Sequence, residues 1–172
     1  MPGVPLTFRP IPLEEEPAAS LEAAMRAEVA AMYDDLDLTG ADMPAAGPRE
    51  LGPPGGTFLV GFGEDGRAVC CGGVKRLPDG TCELKRMYVV PDARGRGAGR
   101  ELLAALEDAA RGLGYTVARL DTGARQPGSE HLYRSAGYTP IGNFNGNPMA
   151  SFFGEKRLQS SAAMARSTSA SQ

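Results

Sequence analysis

At 172 residues the chain is long enough for one compact domain with a sizeable core and too short for two. A net charge of -3 excludes the global positive field that holds nucleic acid or an anionic membrane. The N-terminal residues 1–13 are interrupted by prolines and hold no apolar run, and nowhere do eighteen apolar residues follow one another. We therefore expect a soluble, cytoplasmic protein without a signal peptide, with one domain over 1–158 and a disordered Ser/Ala-rich tail over 159–172.

The three cysteines, Cys70, Cys71 and Cys82, form no C-x-x-C pair, and each sits in an apolar, strand-like run. This pattern predicts buried thiols in a reducing compartment. His131 is the only histidine and cannot form a metal cluster alone, so no metal site is expected.

The first third of the chain predicts a short strand over Leu6–Ile11 and then a helix that opens at Pro17. The helix carries apolar residues three to four positions apart, at Leu21, Met25, Val29 and Met32. Between Asp34 and Gly56 the periodicity gives way to acidic residues, prolines and glycines. A connection of this length is either a substrate loop or a surface loop, and the sequence leaves both open.

Three strands follow, over Thr57–Phe62, Ala68–Lys75 and Thr81–Val90. The two intervening turns contain Asp-Gly pairs, which are typical of tight hairpins. The three strands are therefore predicted to form an antiparallel meander.

The third strand of the meander changes phase in its middle. Cys82 and Leu84 set an apolar alternation that should continue at position 86, where Arg86 stands. Met87 and Val89 carry the apolar positions from there on. A slip of one residue predicts a bulge that would splay this strand from its neighbour.

A helix is predicted from Gly97 to Arg111, ended by Gly112 and Gly114, and a strand over Tyr115–Asp121 follows. This strand-helix-strand unit predicts that its two strands lie parallel. The remaining elements are predicted as follows: a helix from Pro127 or Ser129 to Ala136, and strands over Thr139–Ile141 and Ser151–Leu158 linked through Asn143–Pro148.

The predicted helix at Gly97 begins in a segment rich in glycine and arginine. A helix N-terminus exposes N–H groups with partial positive charge, and glycines let an anion approach them closely. The spacing matches neither a P-loop nor a dinucleotide-binding G-x-G-x-x-G, but it does fit [QR]-x-x-G-x-[GA] over Arg94–Gly99. We expect a phosphate or pyrophosphate here.

With its preceding strand this segment reads V-x-P-x-x-[QR]-x-x-G-x-[GA] over Val89–Gly99, and it resembles the hallmark of the GNAT superfamily of N-acetyltransferases. Residues Glu130–Tyr138 resemble the late L-Y-x-x-x-G-[FY] helix of the same family, and Glu83–Val89 looks like its motif-bearing strand. The likeness spans Thr57–Leu158. It implies an α/β (α+β) fold with a mixed, mostly antiparallel central sheet, a parallel splayed strand pair and flanking helices.

The resemblance also implies the co-substrate acetyl-CoA and an acyl-CoA-dependent N-acyltransferase activity. The pantetheine arm would lie in the splay between Met87–Val89 and Arg119–Asp121, and the pyrophosphate would lie on the glycine-rich segment. The cofactor-binding residues implied are Met87, Tyr88, Val89, Arg94, Gly95, Arg96, Gly97, Ala98, Gly99, Arg100 and Gln126.

Acetyl transfer to an amine requires a base for the amine proton and an acid for the leaving thiolate. The family commonly uses a glutamate of the motif strand, which makes Glu83 the first choice for the base and Asp121 the second. Tyr133 matches the family's general-acid tyrosine. The alternatives are a solvated or substrate-orienting carboxylate at either position and a tyrosine that only packs on the cofactor. Lys85 and Arg86 are expected either to meet phosphates or substrate, or to be solvated.

The acceptor is predicted to be a primary amine of a small molecule. Acceptance of protein lysines or N-termini and a non-catalytic CoA-binding sensor are the alternatives. The acidic residues of the segment 34–42 favour a cationic acceptor. Nucleic acid and membrane partners are not expected, and a homodimer is left open because dimers are common among similar proteins.

Overall fold

A seven-stranded sheet organises the chain in the computed structural model, which describes residues 5–159. The strands are β1 (Thr7–Pro10), β2 (Thr57–Phe62), β3 (Ala68–Arg76), β4 (Cys82–Val89), β5 (Val117–Gly123), β6 (Thr139–Pro140) and β7 (Ala150–Arg157). The helices are α1 (Ala18–Met32), α2 (Ala98–Gly112) and α3 (Pro127–Ser135). Every predicted element occurs close to its expected bounds. The tail predicted to be disordered lies, from residue 160 onward, outside the described residues.

The strands follow the order β1-β2-β3-β4-β5-β7-β6, and all neighbours are antiparallel except β4 and β5. The parallel pair is in register only at Cys82 opposite Ala118 and Glu83 opposite Arg119. Beyond these residues the two strands diverge. The predicted mixed sheet with a splayed parallel pair is therefore confirmed, and the splay leaves an opening at the C-terminal ends of both strands.

The predicted bulge is present at Arg86, whose φ of 57° is left-handed, and the register between β3 and β4 shifts opposite it, between Cys71 and Gly73. Side chains normally alternate between the two faces of a strand. Because of the extra residue, Lys85 and Arg86 both lie on the α1 side, where the Arg86 guanidinium approaches Glu22 of α1. A left-handed backbone costs a non-glycine residue about 1–2 kcal/mol.

Two apolar clusters cover the two faces of the sheet. Cys70 and Cys71 are adjacent on β3 and therefore point to opposite faces: Cys70 packs with α2 and Cys71 with residues of α1. All three cysteines are free and buried, as predicted. Burial raises the pKa of the Cys70 and Cys82 thiols to about 12, which keeps them protonated and unreactive.

Helix α2 buries Leu102, Leu103 and Leu106 against the sheet and exposes Asp108 on its opposite face. The helix ends at Gly112, one residue beyond the predicted Arg111, and Gly114 takes the left-handed conformation after it, so the predicted glycine stop is confirmed. Glu107 accepts hydrogen bonds from Tyr138 at 3.0 Å and Lys156 at 2.9 Å. This buried group ties α2 to β7.

The segment between α1 and β2 has neither helix nor strand over residues 33–56, as predicted. It is nevertheless anchored, because Leu51 is 1% exposed and the Lys75 ammonium donates to the Ala45 carbonyl at 2.6 Å. The segment therefore forms a fixed wall beside α1.

Candidate active site

A groove of about 460 Å³ lies along the edge of β4 where that strand has diverged from β5, and none of its lining residues belongs to β5. Its floor is the edge of β4 from Met87 to Val89, and its walls are α1, with Glu28, and α3, with Leu132. The glycine-rich segment and the start of α2 close one end. The groove thus brings together most of the residues that the sequence assigned to the cofactor.

The glycine-rich end of the groove is built by the backbone. Gly95 and Gly97 have left-handed φ angles of 79° and 84°, and a Cβ at either position would stand in open space. Helix α2 begins at Ala98, and within residues 5–159 no side chain caps it. The free N–H groups of the first turn and the helix dipole therefore favour an anion here. A phosphate-sized group fits because the glycines leave its approach clear.

The three arginines of this segment do not act together. Arg94 lines the groove, where its Nη2 donates to both oxygens of Glu28 at 2.8 and 2.9 Å and its Nε donates to the Val89 carbonyl at 2.9 Å. Arg100 donates to the Ser135 hydroxyl at 3.1 Å. Arg96 lines a separate surface depression beside Asp92. The structure therefore places one of the three predicted cationic contacts in the groove.

A second, smaller cavity of about 130 Å³ lies between α1, the segment after it and the strands β4 and β5. Polar lining comes from Lys85, Arg86, Asp121 and Asn147, and much of the apolar lining comes from methionines. The cavity and the groove share six lining residues: Met25, Val29, Met87, Gln126, Ser129 and Tyr133. The two spaces therefore meet.

Tyr133 stands where the two spaces meet. It is 7% exposed, and its hydroxyl lies 3.6 Å from the Met87 sulfur. Burial raises the pKa of Tyr133, and the negative charge of Asp121 adds to this effect. The phenol therefore stays protonated at neutral pH and can donate a hydrogen bond to a group in either space.

The two candidate bases occupy different positions. Asp121 lines the smaller cavity, whereas Glu83 is fully buried and does not line it. The Asn145 amide nitrogen donates to Glu83 Oε2 at 2.6 Å and to Asp121 Oδ2 at 2.7 Å, and so joins the two carboxylates. Burial raises the pKa of Glu83, against the opposing effect of the Lys85 charge.

Asn145 belongs to the segment Asn143–Pro148, which the sequence predicts only as a link between two strands. Its asparagine at 143 accepts hydrogen bonds from the backbone N–H groups of Asn145 and Gly146, which fixes the turn. Asn147 donates to Asp121 Oδ2 at 3.0 Å. The sequence indicates this role of the loop by three asparagines at alternate positions, because asparagine side chains both build turns and donate hydrogen bonds.

Lys85 and Arg86 belong to the smaller cavity and not to the phosphate end of the groove. Their side chains are 10% and 7% exposed, so the interpretation of solvated charges is wrong. The bulge explains their position, because it turns two consecutive side chains to the same face.

Within residues 5–159, no group of three or more His, Cys, Asp or Glu side chains could hold a metal ion. The same part of the chain has no helix that is long and apolar enough to cross a bilayer.

Comparison with known proteins agrees with this geometry. A model of the acetyltransferase (GNAT) family matches residues 16–138. The chain is 34% identical over 147 residues to the IAA acetyltransferase of Azospirillum brasilense, which covers 80% of this chain and 95% of that protein. A solved structure from Klebsiella pneumoniae, assigned as an acyl-CoA N-acyltransferase, has a TM-score of 0.72 at 31% identity and covers 90% of this chain and 98% of its own.

The fold also matches the spermidine N-acetyltransferase of Vibrio cholerae in complex with CoA and spermine, with a TM-score of 0.65 at 14% identity over 89% of this chain and 95% of that one. The family match covers the strand-bulge-helix unit and the helix that carries Tyr133. The chain therefore belongs to the acetyltransferase (GNAT) family and is an acyl-CoA-dependent N-acyltransferase.

Proposed function

We propose that this protein transfers the acetyl group of acetyl-CoA directly to the primary amine of a small molecule, with both substrates bound at once. The observation that carries this proposal is the meeting of two cavities at Tyr133 and Met87. One cavity has an anion-binding end, and the other has charged side chains suited to a polar acceptor. A direct transfer requires the two reactants to be held in contact in this way.

The groove fits acetyl-CoA, which supplies the acyl group as a thioester. The backbone N–H groups from Gly95 to Arg100 bind the pyrophosphate, and the edge of β4 from Met87 to Val89 receives the pantetheine arm. Gln126, at the N-terminus of α3, lines both spaces and provides a further polar contact. Arg94 must exchange its hydrogen bond to the Val89 carbonyl when the arm binds along this edge.

Asp121 takes the proton of the acceptor amine in this proposal. A lysine-like amine has a pKa of about 10.4 and must lose its proton before it attacks. Asp121 lines the smaller cavity, which we call the acceptor cavity. Glu83 is fully buried, does not line this cavity and accepts a hydrogen bond from Asn145. Because the acceptor can reach Asp121 but not Glu83, we prefer Asp121 as the base, although the sequence ranks Glu83 first. Glu83 then positions Asn145 and Lys85.

Tyr133 donates the proton, or a hydrogen bond, to the leaving thiolate. Its raised pKa keeps the phenol protonated until that step. A backbone N–H near Val89 supplies the stabilisation of the tetrahedral oxyanion. No covalent enzyme intermediate is needed, because the buried cysteines are protonated.

Free-thiol release from acetyl-CoA, measured across a panel of small amines, amino acids, polyamines and lysine-containing peptides, tests the proposal. We expect saturable, amine-dependent release for at least one small amine and a sequential kinetic pattern. Release that depends on peptides alone would make the enzyme a protein acetyltransferase. Acetyl-CoA binding without release for any amine would favour the sensor. Light scattering of the same sample tests the homodimer.

A further inference from the structure

The acceptor cavity is lined by the buried guanidinium of Arg86, which makes few hydrogen bonds to the described residues. Arg86 lines this cavity and its side chain is 7% exposed. Within the described residues its Nε has no hydrogen-bond partner, and its Nη2 makes one long hydrogen bond, 3.5 Å, to the Leu38 carbonyl. A guanidinium carries five N–H donors, so most of its capacity is unused.

The nearest carboxylate does not satisfy Arg86. Glu22 Oε1 lies 3.9 Å from the Arg86 Nε, which is beyond hydrogen-bond distance. Both oxygens of Glu22 already accept from Arg26 Nε at 2.9 Å. Burial lowers the pKa of the Arg86 guanidinium, with Glu22 acting in the opposite direction, yet an arginine stays charged in proteins. A buried charge without a hydrogen-bonded partner is costly, and such groups mark places where a ligand completes the site.

The backbone at Arg86 adds a second cost. Its left-handed φ of 57° is unfavourable for a side chain of this size, and strain of this kind gathers at ligand-binding positions. The strained position is the one that brings Arg86 to the same face as Lys85. Two cationic side chains thus enter one small cavity whose remaining polar lining includes Asp121 and Asn147.

We propose that the acceptor amine also carries a carboxylate, as an amino acid or a close derivative does, and that Arg86 binds this carboxylate. This inference rests on the proposed function. The planar fork of the guanidinium matches a carboxylate in two parallel hydrogen bonds. Asp121 and Tyr133, which line the same cavity, are then available to the amine.

Other acceptor classes fit the same residues less well. A polyamine offers no anion and would place a further cation beside a guanidinium whose Nε, within the described residues, has no hydrogen-bond partner. A phosphate dianion would meet the carboxylates of Glu22, Asp121 and Glu83, all of which lie near Arg86. A single carboxylate neutralises Arg86 with the least repulsion.

Matched amines test the inference in the thiol-release assay. Each amino acid is compared with its own carboxamide, which keeps the amine and the side chain but lacks the negative charge. Peptides with a free and an amidated C-terminus distinguish a free amino acid from a chain end. Since a hydrogen bond to a charged group contributes about 1.5–3 kcal/mol, we expect kcat/KM to be roughly 10- to 100-fold higher for the carboxylate member of the preferred pair.

Three variants separate carboxylate binding from a structural role. Arg86→Gln should reduce the carboxylate-to-carboxamide ratio to near one. Arg119→Gln, which removes a half-buried arginine of β5 that lines neither cavity, should leave the ratio unchanged. Glu22→Gln should keep or raise the ratio. If Arg86 served only to pair with Glu22, then Glu22→Gln would reproduce the effect of Arg86→Gln.

Binding measurements test the role of Arg86 even if no amine is acetylated. Calorimetry with CoA present compares an N-acetyl amino acid with its carboxamide, on the wild type and on Arg86→Lys, which keeps the charge but loses the fork. Equal affinities on the wild type, or carboxamides and polyamines acetylated as well as carboxylates, would overturn it. If no amine is acetylated although acetyl-CoA binds, the proposed function fails, and a carboxylate preference in binding would still support the role of Arg86.

Discussion

The two cavities take their binding groups from different kinds of atoms, although they share six lining residues. The groove takes its binding groups from the backbone: the edge of β4, two left-handed glycines and the N-terminus of α2. The acceptor cavity takes its polar groups from side chains on β4, β5 and the asparagine loop. A backbone site suits a ligand that many related proteins share, because it tolerates side-chain change. A side-chain site can be specific.

The largest expected effect falls on Tyr133, one of the six residues that line both cavities. Tyr133→Phe removes the proposed proton donor and keeps the ring, so we expect kcat to fall by roughly 10²- to 10⁴-fold. The affinity for acetyl-CoA should change little. Tyr138→Phe is the matched control, because that hydroxyl donates to Glu107 and Tyr138 lines neither cavity. Steady-state kinetics and calorimetry check both. Equal losses in the two variants would reduce Tyr133 to a packing residue.

The next effect separates the two carboxylates. Asp121→Asn should lower kcat/KM at neutral pH by about 10²-fold or more, because it removes the base from the acceptor cavity. Glu83→Gln keeps the shape of a buried side chain that does not reach the cavity, so its effect should be about tenfold or less. Initial rates of both variants, measured with the same amine, show which of the two carboxylates is the base. A larger loss in Glu83→Gln would restore the order expected from the sequence.

A smaller effect is expected at the backbone site. Gly97→Ala places a methyl group in the open space of the phosphate end and should weaken acetyl-CoA binding by about tenfold or more, by displacing a charge-assisted hydrogen bond. Gly80→Ala is the control, since Gly80 has nearly the same φ, 85°, and equally open surroundings but lines neither cavity. Both variants should unfold more easily to a similar extent, about 1–2 kcal/mol. If the Gly97→Ala and Gly80→Ala variants bound acetyl-CoA equally well, Gly97 would not belong to the phosphate end of the groove.

The smallest effect concerns stability and pH. The pKa of Glu83 is raised in the folded protein, so the folded state holds this proton more tightly than the unfolded chain does. The stabilising effect of the protonated group is fully present below the ordinary value of 4.5 and is lost as the pH rises through the higher folded value.

Relative to Glu83→Gln, the wild type should therefore lose free energy of unfolding as the pH rises above 4.5, by at most about 1.4 kcal/mol per pH unit. Urea unfolding of both proteins over a pH series measures the difference. Glu14→Gln, at an exposed position, should show no such trend. A difference that grows in favour of the wild type would mean that Glu83 is held as an ion by Lys85.

The backbone elements could be predicted from the sequence because their signals are local. The phase slip at Arg86 stands within one strand, and the glycines at 95 and 97 stand next to the helix that they begin. Strand β5 begins and ends two residues later than predicted, because the ends of a strand depend on the neighbouring strands. Here β7 pairs with β5 as far as Gly123.

The acceptor cavity could not be assembled in the same way. Asn145 contacts Glu83 and Asp121 from 62 and 24 residues away along the chain, and no periodicity encodes such a contact. The Arg94–Glu28 pair spans 66 residues and redirects a side chain that the motif alone assigns to phosphate. Side chains of this kind are placed by the packing of α1 and the loops, which the pattern of one segment does not contain.

The bulge at Arg86 joins these two parts of the molecule in a way that matters for how the enzyme can change. One inserted residue shifts the register between β3 and β4 and adds a second cation to the acceptor side, just beyond the point where the pairing of β4 with β5 ends. If Arg86 binds the acceptor as proposed, a substitution at this position changes the choice of acceptor and keeps the inserted residue, so acceptor preference can change one substitution at a time. Deleting residue 86 should restore the alternation of β4 and turn Met87 and Val89 to the opposite face, so it should also disturb the proposed binding of the acyl donor along this edge.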